Sequence, residues 1–584
     1  MNMAQWNPYL LWAAILLCAA ALIRDIVTTM KARSKPGNKS SNKSGSKAKN
    51  KGFLSEIEPK EMSDKTYYII LGVLLFIALL VRAYKFGIVP AGFNQDGAMA
   101  AVDAKALADY GTDRYGMYRP VHLTAWGYGQ MSSLLSYMMA FFIDLFGFGP
   151  GIARFPMLLM SMVGIVSLHF FIKDIFGKNL SLAVLLFAAV NPWHIMQSRW
   201  ALDCNLYPHF FMLGVYLLNR GIQGTKKRYL YMSMVSFGLC MYCYGVSIYT
   251  LPVFLVAACT YLLISKKLNW KEALISAGVY LLVAWPFILT MMVNFFQWET
   301  INTPFFTIAY FPYSQRSSDI LFFSGNIGEQ LKANFQSLLN TTLLQRKDLP
   351  WNDVYNFGTV YLFSMPFVVL GIVDFFKNHR KKTGAVLAFI FLCTGIWAGL
   401  TTNGVNVNRI NIVYYPIIIM GGLGIGYCAK WIPRAKWGII VAYALAFVMF
   451  TNTYFTKTAD DLSGHFFGNF GEAVTYVKDA PEDKVYITAD SQYTGASNVS
   501  EILTLFFHET DAEYYQGKKD IPGWLPFWER YRFSSIGNLS IDHSEEAVYV
   551  VRDYDLSYFP ADIYEVIPFE TYPMAPKYYV VRKR

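Results

Sequence analysis

The chain has 584 residues, of which 54% are hydrophobic, 17% aromatic and only 16% charged. A soluble protein carries about a quarter of its residues as charges, whereas the apolar residues here form blocks of about twenty, the length that crosses a hydrocarbon core. This excludes a soluble enzyme and indicates a polytopic membrane protein; the formal net charge of +11 does not indicate nucleic-acid binding, because most basic clusters lie in short loops between apolar blocks.

The N-terminal segment 1–30 contains an apolar run at 9–29 without a small-residue cleavage site after it, which predicts a retained transmembrane helix. The segment 31–66 follows as a basic cytoplasmic linker. Between Lys31 and Lys51 it has eight Lys or Arg residues and no acid, in a composition that cannot build a core. Contact with anionic lipid headgroups and a merely solvated tether both fit this run.

Residues 67–455 are predicted to form one membrane domain. With the N-terminal helix we expect about twelve spanning helices, because one further block, 131–147, fits better as a surface helix: every basic loop then falls on the cytoplasmic side. The predicted spans are 9–29, 67–89, 152–172, 179–197, 205–219, 229–247, 248–265, 272–290, 357–376, 383–400, 410–429 and 437–455.

This orientation places three long segments outside the cell membrane. They are a first outer loop at 90–151, a long outer loop at 291–356 and the C-terminal region 456–584. The C-terminal region alternates β-rich runs such as Lys484–Ala489 and Ala547–Arg552 with amphipathic pieces such as Ser500–His508, which predicts a small extracytoplasmic α/β domain. All seven cysteines lie within or beside apolar blocks, so a secreted disulfide framework is not expected.

Four charged residues lie on the predicted outer rim of the membrane domain. Ionisable side chains near the membrane are costly to place and often have a function. Asp96 precedes a predicted helix at 98–108 and is either an N-cap or a functional carboxylate. Arg199 and Asp203 share a short turn between two helices, as an interfacial ion pair or as part of a site. Arg409 begins an inward-going helix, as a snorkelling arginine or as a phosphate ligand. Two carboxylates and two arginines could bind a lipid phosphate and deprotonate an acceptor.

Four groups of residues along 67–455 resemble the GT-C glycosyltransferases of the protein O-mannosyltransferase and lipid A aminoarabinose transferase type. In chain order they are Asn94-Gln95-Asp96; Leu145-Phe146-Gly147 followed by Ala153-Arg154-Phe155-Pro156; Asn191-Pro192-Trp193-His194 leading to Ser198-Arg199 and Asp203; and Asn408-Arg409 before Tyr415-Pro416. Many relatives have a second acid directly after the first, where this chain has Gly97, and Gln130 lies where some relatives carry a basic residue.

The resemblance implies a GT-C fold and a sugar donor linked to a polyprenyl phosphate such as undecaprenyl phosphate. It implies that Asp96 is the catalytic base, Asp203 the second acid of the site and Arg409 a donor-phosphate ligand, with Arg199 a weaker candidate. Weaker candidates for substrate binding are Asn94, Gln95, Gln130 and Asn408.

The expected reaction is sugar transfer, with inversion, to an extracytoplasmic acceptor: an envelope glycan, teichoic acid, lipid or protein. No cofactor or metal is expected. A lipid-linked glycan flippase or transporter, a cell-wall polymer ligase or polymerase, and a non-catalytic scaffold remain alternatives. The sequence identifies neither the sugar nor the acceptor.

Overall fold

The computed structural model describes residues 3–34, 62–126, 129–224, 226–312, 327–489, 497–539 and 541–584. Most of the predicted basic linker therefore lies outside the described residues. Eight helices among them are long and apolar enough to cross a membrane: Met3–Lys31, Asp64–Ala83, Pro150–Phe176, Ser247–Ile264, Trp270–Phe295, Thr383–Thr401, Val407–Trp431 and Ala435–His465. Each overlaps one predicted span, so the prediction of a helical polytopic membrane protein is confirmed.

Three of the other four predicted spans fall on shorter helices, Lys178–Ala189, Arg228–Cys240 and Met365–Asp374, and the fourth falls on Leu206–Gln223, which has 18 residues but is not among the eight helices that are long and apolar enough to cross. The block 179–197 shows how a predicted span can differ from the helix that forms. Its helix stops at Ala189, and a new helix begins at Pro192 after the Asn191 side chain accepts a hydrogen bond from the His194 backbone N–H (3.1 Å). Proline at the first helical position favours such a restart, so this apolar block contains two helices instead of one.

The predicted surface helix is present as Leu134–Phe146. Its 13 residues extend about 20 Å, which is short of a hydrocarbon core of about 30 Å. Leu135 and Met139 on one face are fully buried, whereas Phe141 and Phe146 are largely exposed. The predicted helix is therefore present, and its place on the membrane surface stays a prediction.

A polar chain joins five segments inside the helix bundle. Arg82 donates to His194 Nδ1 (3.1 Å), so the proton of this imidazole is on Nε2, which donates to the Tyr415 hydroxyl (2.9 Å). The hydroxyl lies 2.9 Å from His209 Nδ1. A Cβ atom on Gly164 would lie 2.0 Å from the same hydroxyl, so only glycine admits this contact. These buried groups fix the helices that carry the rim residues.

The C-terminal region folds as the predicted small α/β domain with a five-stranded sheet. Its strands, in spatial order, are Tyr531–Phe533, Lys484–Ile487, Ala547–Arg552, Tyr578–Lys583 and Tyr564–Phe569. The first three run parallel, and the last two pair antiparallel. Both predicted strands and the amphipathic helix, which spans Ser497–Phe507, are present.

The other described elements are short or belong to the outer segments. The helices are Gln95–Tyr110, Ile327–Thr342, Gly468–Tyr476, Ala512–Tyr515 and Phe527–Arg530, and the two-residue strand pairs are Leu123–Thr124 with Gln130–Met131 and Ile301–Asn302 with Thr307–Ile308.

Candidate functional site

Two buried arginines hold the irregular segment between the helix Asp64–Ala83 and Asp96. Arg154 donates to the carbonyls of Gly87 (2.9 Å) and Gly92 (2.7 Å). Arg199 donates to five carbonyls, those of Val81, Arg82, Tyr84, Lys85 and Val89, at 2.7–3.3 Å. Carbonyls buried without a partner are costly, so the two guanidinium groups fix a stretch that has no regular hydrogen-bonding pattern of its own.

This geometry corrects the expectation for Arg199. The side chain is 0% exposed, and both terminal nitrogens are used by backbone carbonyls. A guanidinium committed in this way has no edge to offer a phosphate, and it also forms no ion pair with Asp203. Arg199 is therefore a positioning residue for the segment that leads to Asp96.

Asp96 is in the first turn of its helix and is not the cap. The helix spans Gln95–Tyr110, and its N-cap is Asn94, whose side chain accepts from the Gly97 backbone N–H (2.7 Å). The Asp96 carboxylate accepts a hydrogen bond from the Trp126 indole N–H (2.6 Å). The alternative that Asp96 caps the helix is thus wrong. Its carboxylate instead contacts the predicted first outer loop through Trp126.

The charges of the two rim carboxylates both act on one buried thiol. Asp203 opens a single turn of 3-10 helix, and its Oδ1 accepts from the Cys204 backbone N–H (2.7 Å). Burial raises the pKa of the Cys204 thiol well above its usual value, and the charges of Asp203 and Asp96 raise it further. Both carboxylates are therefore near Cys204, which is 1% exposed.

The Asp96 and Asp203 segments also touch through their backbones. A Cβ atom on Gly97 would lie 2.6 Å from the Ala201 carbonyl oxygen, closer than real contacts allow. The position where many relatives have a second acid therefore admits no side chain in this chain. Glycine lets the helix start approach the 198–204 turn.

Arg409 is brought to the same place by its own short helix. Val407–Ile410 packs against the turn Asp203–Asn205, and Asn411 donates to the Cys204 carbonyl (2.6 Å). Arg409 itself is partly exposed and donates to the Gly404 carbonyl at 3.4 Å. The segment that carries Arg409 therefore lies against the turn that carries Asp203.

The weaker candidates are spread around this rim. Gln95 begins the Asp96 helix and Gln130 lies on a short strand paired with Leu123–Thr124; both are partly exposed. Asn408 lies beside Arg409, and its Oδ1 is buried without a hydrogen-bond partner among the residues that the structure describes. Asn94 is occupied as the N-cap, so it acts on the helix and not on a ligand.

The C-terminal domain closes over the loop that precedes Asp96. The Phe93 backbone N–H donates to the Phe466 carbonyl (2.6 Å), and the Phe93 ring stacks on Phe506 with centroids 4.3 Å apart. Further along, the Tyr110 hydroxyl donates to Asp511 (2.7 Å). The α/β domain is therefore part of the scaffold of the site.

Sequence reasoning missed the residues that assemble the rim. Trp126 binds Asp96, Cys204 donates its backbone N–H to Asp203, and Asn411 links the two loops, as described above. Asp348, in the long outer loop, accepts from the Val407 backbone N–H (2.5 Å). Only Asn411 had a signal, its place just after Asn408-Arg409. Among the described residues no group of three His, Cys, Asp or Glu side chains is arranged to hold a metal ion.

Comparison with known proteins gives one family match and several structural matches. Residues 132–297, under half of the chain, match the family described as dolichyl-phosphate-mannose-protein mannosyltransferase. This stretch includes Arg199 and Asp203 but neither Asp96 nor Arg409. No curated protein matches.

Two crystal structures of ArnT from Cupriavidus metallidurans align with 89% of this chain and 98% of theirs. The apo structure has 13% identity and a TM-score of 0.50, and the structure bound to undecaprenyl phosphate has 12% identity and a TM-score of 0.52. The fold is that of the GT-C glycosyltransferases, as the sequence predicted, and the matched family is one of glycosyltransferases.

Proposed function

We propose that this chain is a membrane glycosyltransferase that moves a sugar from a polyprenyl-phosphate donor to an acceptor on the outer face of the membrane. The observation that carries the proposal is that the segments of Asp96, Asp203 and Arg409 pack against one another: the Asp96 helix start against the 198–204 turn, and the Arg409 helix against Asp203–Asn205. The GT-C fold and the mannosyltransferase family match support the reaction class. The ArnT structure that binds undecaprenyl phosphate supports the kind of donor lipid.

In the proposed reaction Asp96 is the general base. The acceptor hydroxyl attacks the anomeric carbon, the bond from this carbon to the phosphate oxygen breaks, and the acceptor proton passes to the Asp96 carboxylate, with inversion. The indole of Trp126 holds one carboxylate oxygen, which orients the group. Asp203 is held by its own backbone turn, so we assign it to positioning the acceptor or the sugar.

Arg409 is proposed to hold the donor phosphate as it leaves. The lipid phosphate departs with the electron pair of the broken bond, and a guanidinium presents paired donors that match its oxygens. Because this positive charge stabilises the leaving group, the proposal requires no metal. A chelator should therefore leave the transfer rate unchanged, and loss of activity that a divalent cation restores would contradict this part.

The proposed function is tested with purified full-length protein in lipid nanodiscs. It is given a panel of polyprenyl-phosphate sugars, and release of the polyprenyl phosphate is followed by mass spectrometry. Candidate acceptors come from comparing envelope glycans of cells with and without the protein. Release of polyprenyl phosphate that depends on an acceptor supports the proposal. Transport of the lipid-linked sugar without cleavage would instead favour a flippase.

A further inference from the structure

The helix Ile327–Thr342 in the long outer loop carries an apolar stripe that is covered at one end only. The stripe consists of residues three or four positions apart, which share one face of a helix: Ile327, Leu331, Phe335 and Leu338. Leu338 is buried, whereas the first three are 45%, 36% and 53% exposed. The exposed part of such a stripe marks a surface that binds an apolar partner.

The covered end of the stripe packs on a helix that is long and apolar enough to cross the membrane. Leu338 lies against Gly399 in the helix Thr383–Thr401. A Cβ atom at Gly399 would lie only 2.7 Å from Leu338 Cδ1, so glycine is what lets the two helices approach. The stripe therefore continues from a contact with a membrane span to an uncovered surface beside it.

Asn334 fixes the level at which the two helices meet. Its amide nitrogen donates to the carbonyls of Leu400 (3.0 Å) and Thr402 (2.6 Å), at the very end of the span. The last carbonyls of a helix have no partner within the helix, so the buried Asn334 side chain satisfies two of them. A span ends where the hydrocarbon core ends, which places Asn334 at the membrane–water interface.

Aromatic side chains mark the same level where the long outer loop begins. Phe295 is the last residue of the membrane helix Trp270–Phe295 and is 73% exposed. Phe296 and Trp298 follow it, and both are largely exposed. Exposed aromatic residues at the end of a span are typical of the belt that lies among lipid headgroups. Both ends of the described loop thus carry residues suited to that layer.

The other side of the helix Ile327–Thr342 is suited to water. Lys332, Ala333 and Gln336 are exposed there, and none of them belongs to the apolar stripe. A helix with one apolar and one polar face lies in the plane of the interface, with its apolar face about 5–10 Å into the boundary between headgroups and acyl chains.

We propose that this helix is embedded in the membrane–water interface, and that lipid covers the exposed part of its apolar stripe. The level set by Asn334 and the aromatic residues after Phe295 identify the partner as the bilayer. The helix ends shortly before Asp348, whose carboxylate binds the Val407 backbone N–H. The lipid contact therefore anchors the part of the loop that supports the Arg409 helix.

The test places single spin labels on the two faces of the helix in full-length protein in lipid nanodiscs. Leu331→Cys and Phe335→Cys report on the stripe, and Ala333→Cys and Gln336→Cys are the matched controls on the polar face. All four variants also carry Cys259→Ser and Cys393→Ser, because the other cysteines are buried. Electron paramagnetic resonance then measures collisions of each label with oxygen, which concentrates in lipid, and with a nickel chelate, which stays in water.

We expect labels at 331 and 335 to collide more with oxygen, and labels at 333 and 336 to collide more with the nickel chelate. All four positions are exposed, so the melting temperature should not change. Nickel-dominated collisions at all four positions would place the stripe in water and overturn the proposal. Labels at 331 and 335 that neither reagent reaches would overturn it too, because protein, such as a second copy of the chain, would then cover the stripe. The measurement involves no sugar, so its result stands whether or not the proposed function holds.

Discussion

Replacing Asp96 by asparagine removes a charge and a proton acceptor while changing little else. Asn94 remains the N-cap, so the helix loses only a negative charge in its first turn, worth about 0.3–1 kcal/mol. The Trp126 indole still finds an oxygen at the same place, although charge-assisted bonds are about twice as strong as neutral ones. We therefore expect unfolding to become easier by only about 1–2 kcal/mol.

The effect on turnover should be much larger. A general base contributes about 10²–10⁴ in rate, which corresponds to about 2.7–5.4 kcal/mol of activation free energy. The loss of about 2.7–5.4 kcal/mol in activity would thus exceed the loss of about 1–2 kcal/mol in stability, and the variant should still bind the donor lipid. Comparing the loss in turnover with the loss in stability therefore distinguishes a catalytic role of Asp96 from a structural one.

The assay is single-turnover release of polyprenyl phosphate, with the melting temperature measured on the same preparation. Asp203→Asn is the matched control, for which we expect a smaller defect because Asp203 is assigned to positioning. Near-normal turnover of Asp96→Asn together with an inactive Asp203→Asn would reverse the two roles. Full activity of both would refute this rim as the active site.

Four further outcomes are expected. Arg409→Ala should lower transfer by roughly 10–100-fold and Arg409→Lys by less, at unchanged melting temperature; a wild-type rate would make Arg409 an interface anchor only. Arg199→Lys should instead cost about 2–4 kcal/mol of stability because the fork that holds five carbonyls is lost, and a raised donor KM with normal stability would contradict that role. Burial, then the nearby Asp103 charge, raises the pKa of Asp113 to about 6 from its ordinary 3.8; the folded state then keeps a proton that the unfolded chain releases, so stability should fall as pH rises from about 4 to about 6, and Asp113→Asn should flatten this slope in pH-dependent melting. An impermeant thiol reagent applied outside should not label cysteines placed at 377–382, and labelling there would reverse the proposed orientation.

The helical membrane domain could be predicted because apolar length is a property of the chain alone. The places where prediction failed are those where an apolar block contains a break, as at Val190–Asn191. Apolarity does not distinguish one span from two short helices, and the break depends on Asn191 and Pro192 acting together. The strand at 547–552 was predictable because a short, near-continuous hydrophobic run is typical of a strand that is buried on both faces.

The candidate acids and Arg409 could be identified from the sequence, and their roles stay predictions, whereas the residues that support them could not be identified. Arg199 has the residue type of a phosphate ligand, and only the fold shows that its partners are backbone carbonyls far away in sequence. Asn94 and Asp96 are both good caps, and their local sequence does not decide between them. Trp126 and Cys204 gave no signal, because their roles exist only once distant segments meet.

The hydrogen bond from Phe93 to Phe466 has a consequence for biogenesis. Phe93 enters the membrane early in translation, whereas Phe466 follows the last long helix and Phe506 lies further on in the α/β domain. At about 5–20 residues per second, the early loop waits on the order of tens of seconds for the groups that hold it. Until then the nascent chain lacks the contacts that Phe466 and Phe506 make with Phe93. The loop that leads to Asp96 is therefore held in place only late in synthesis.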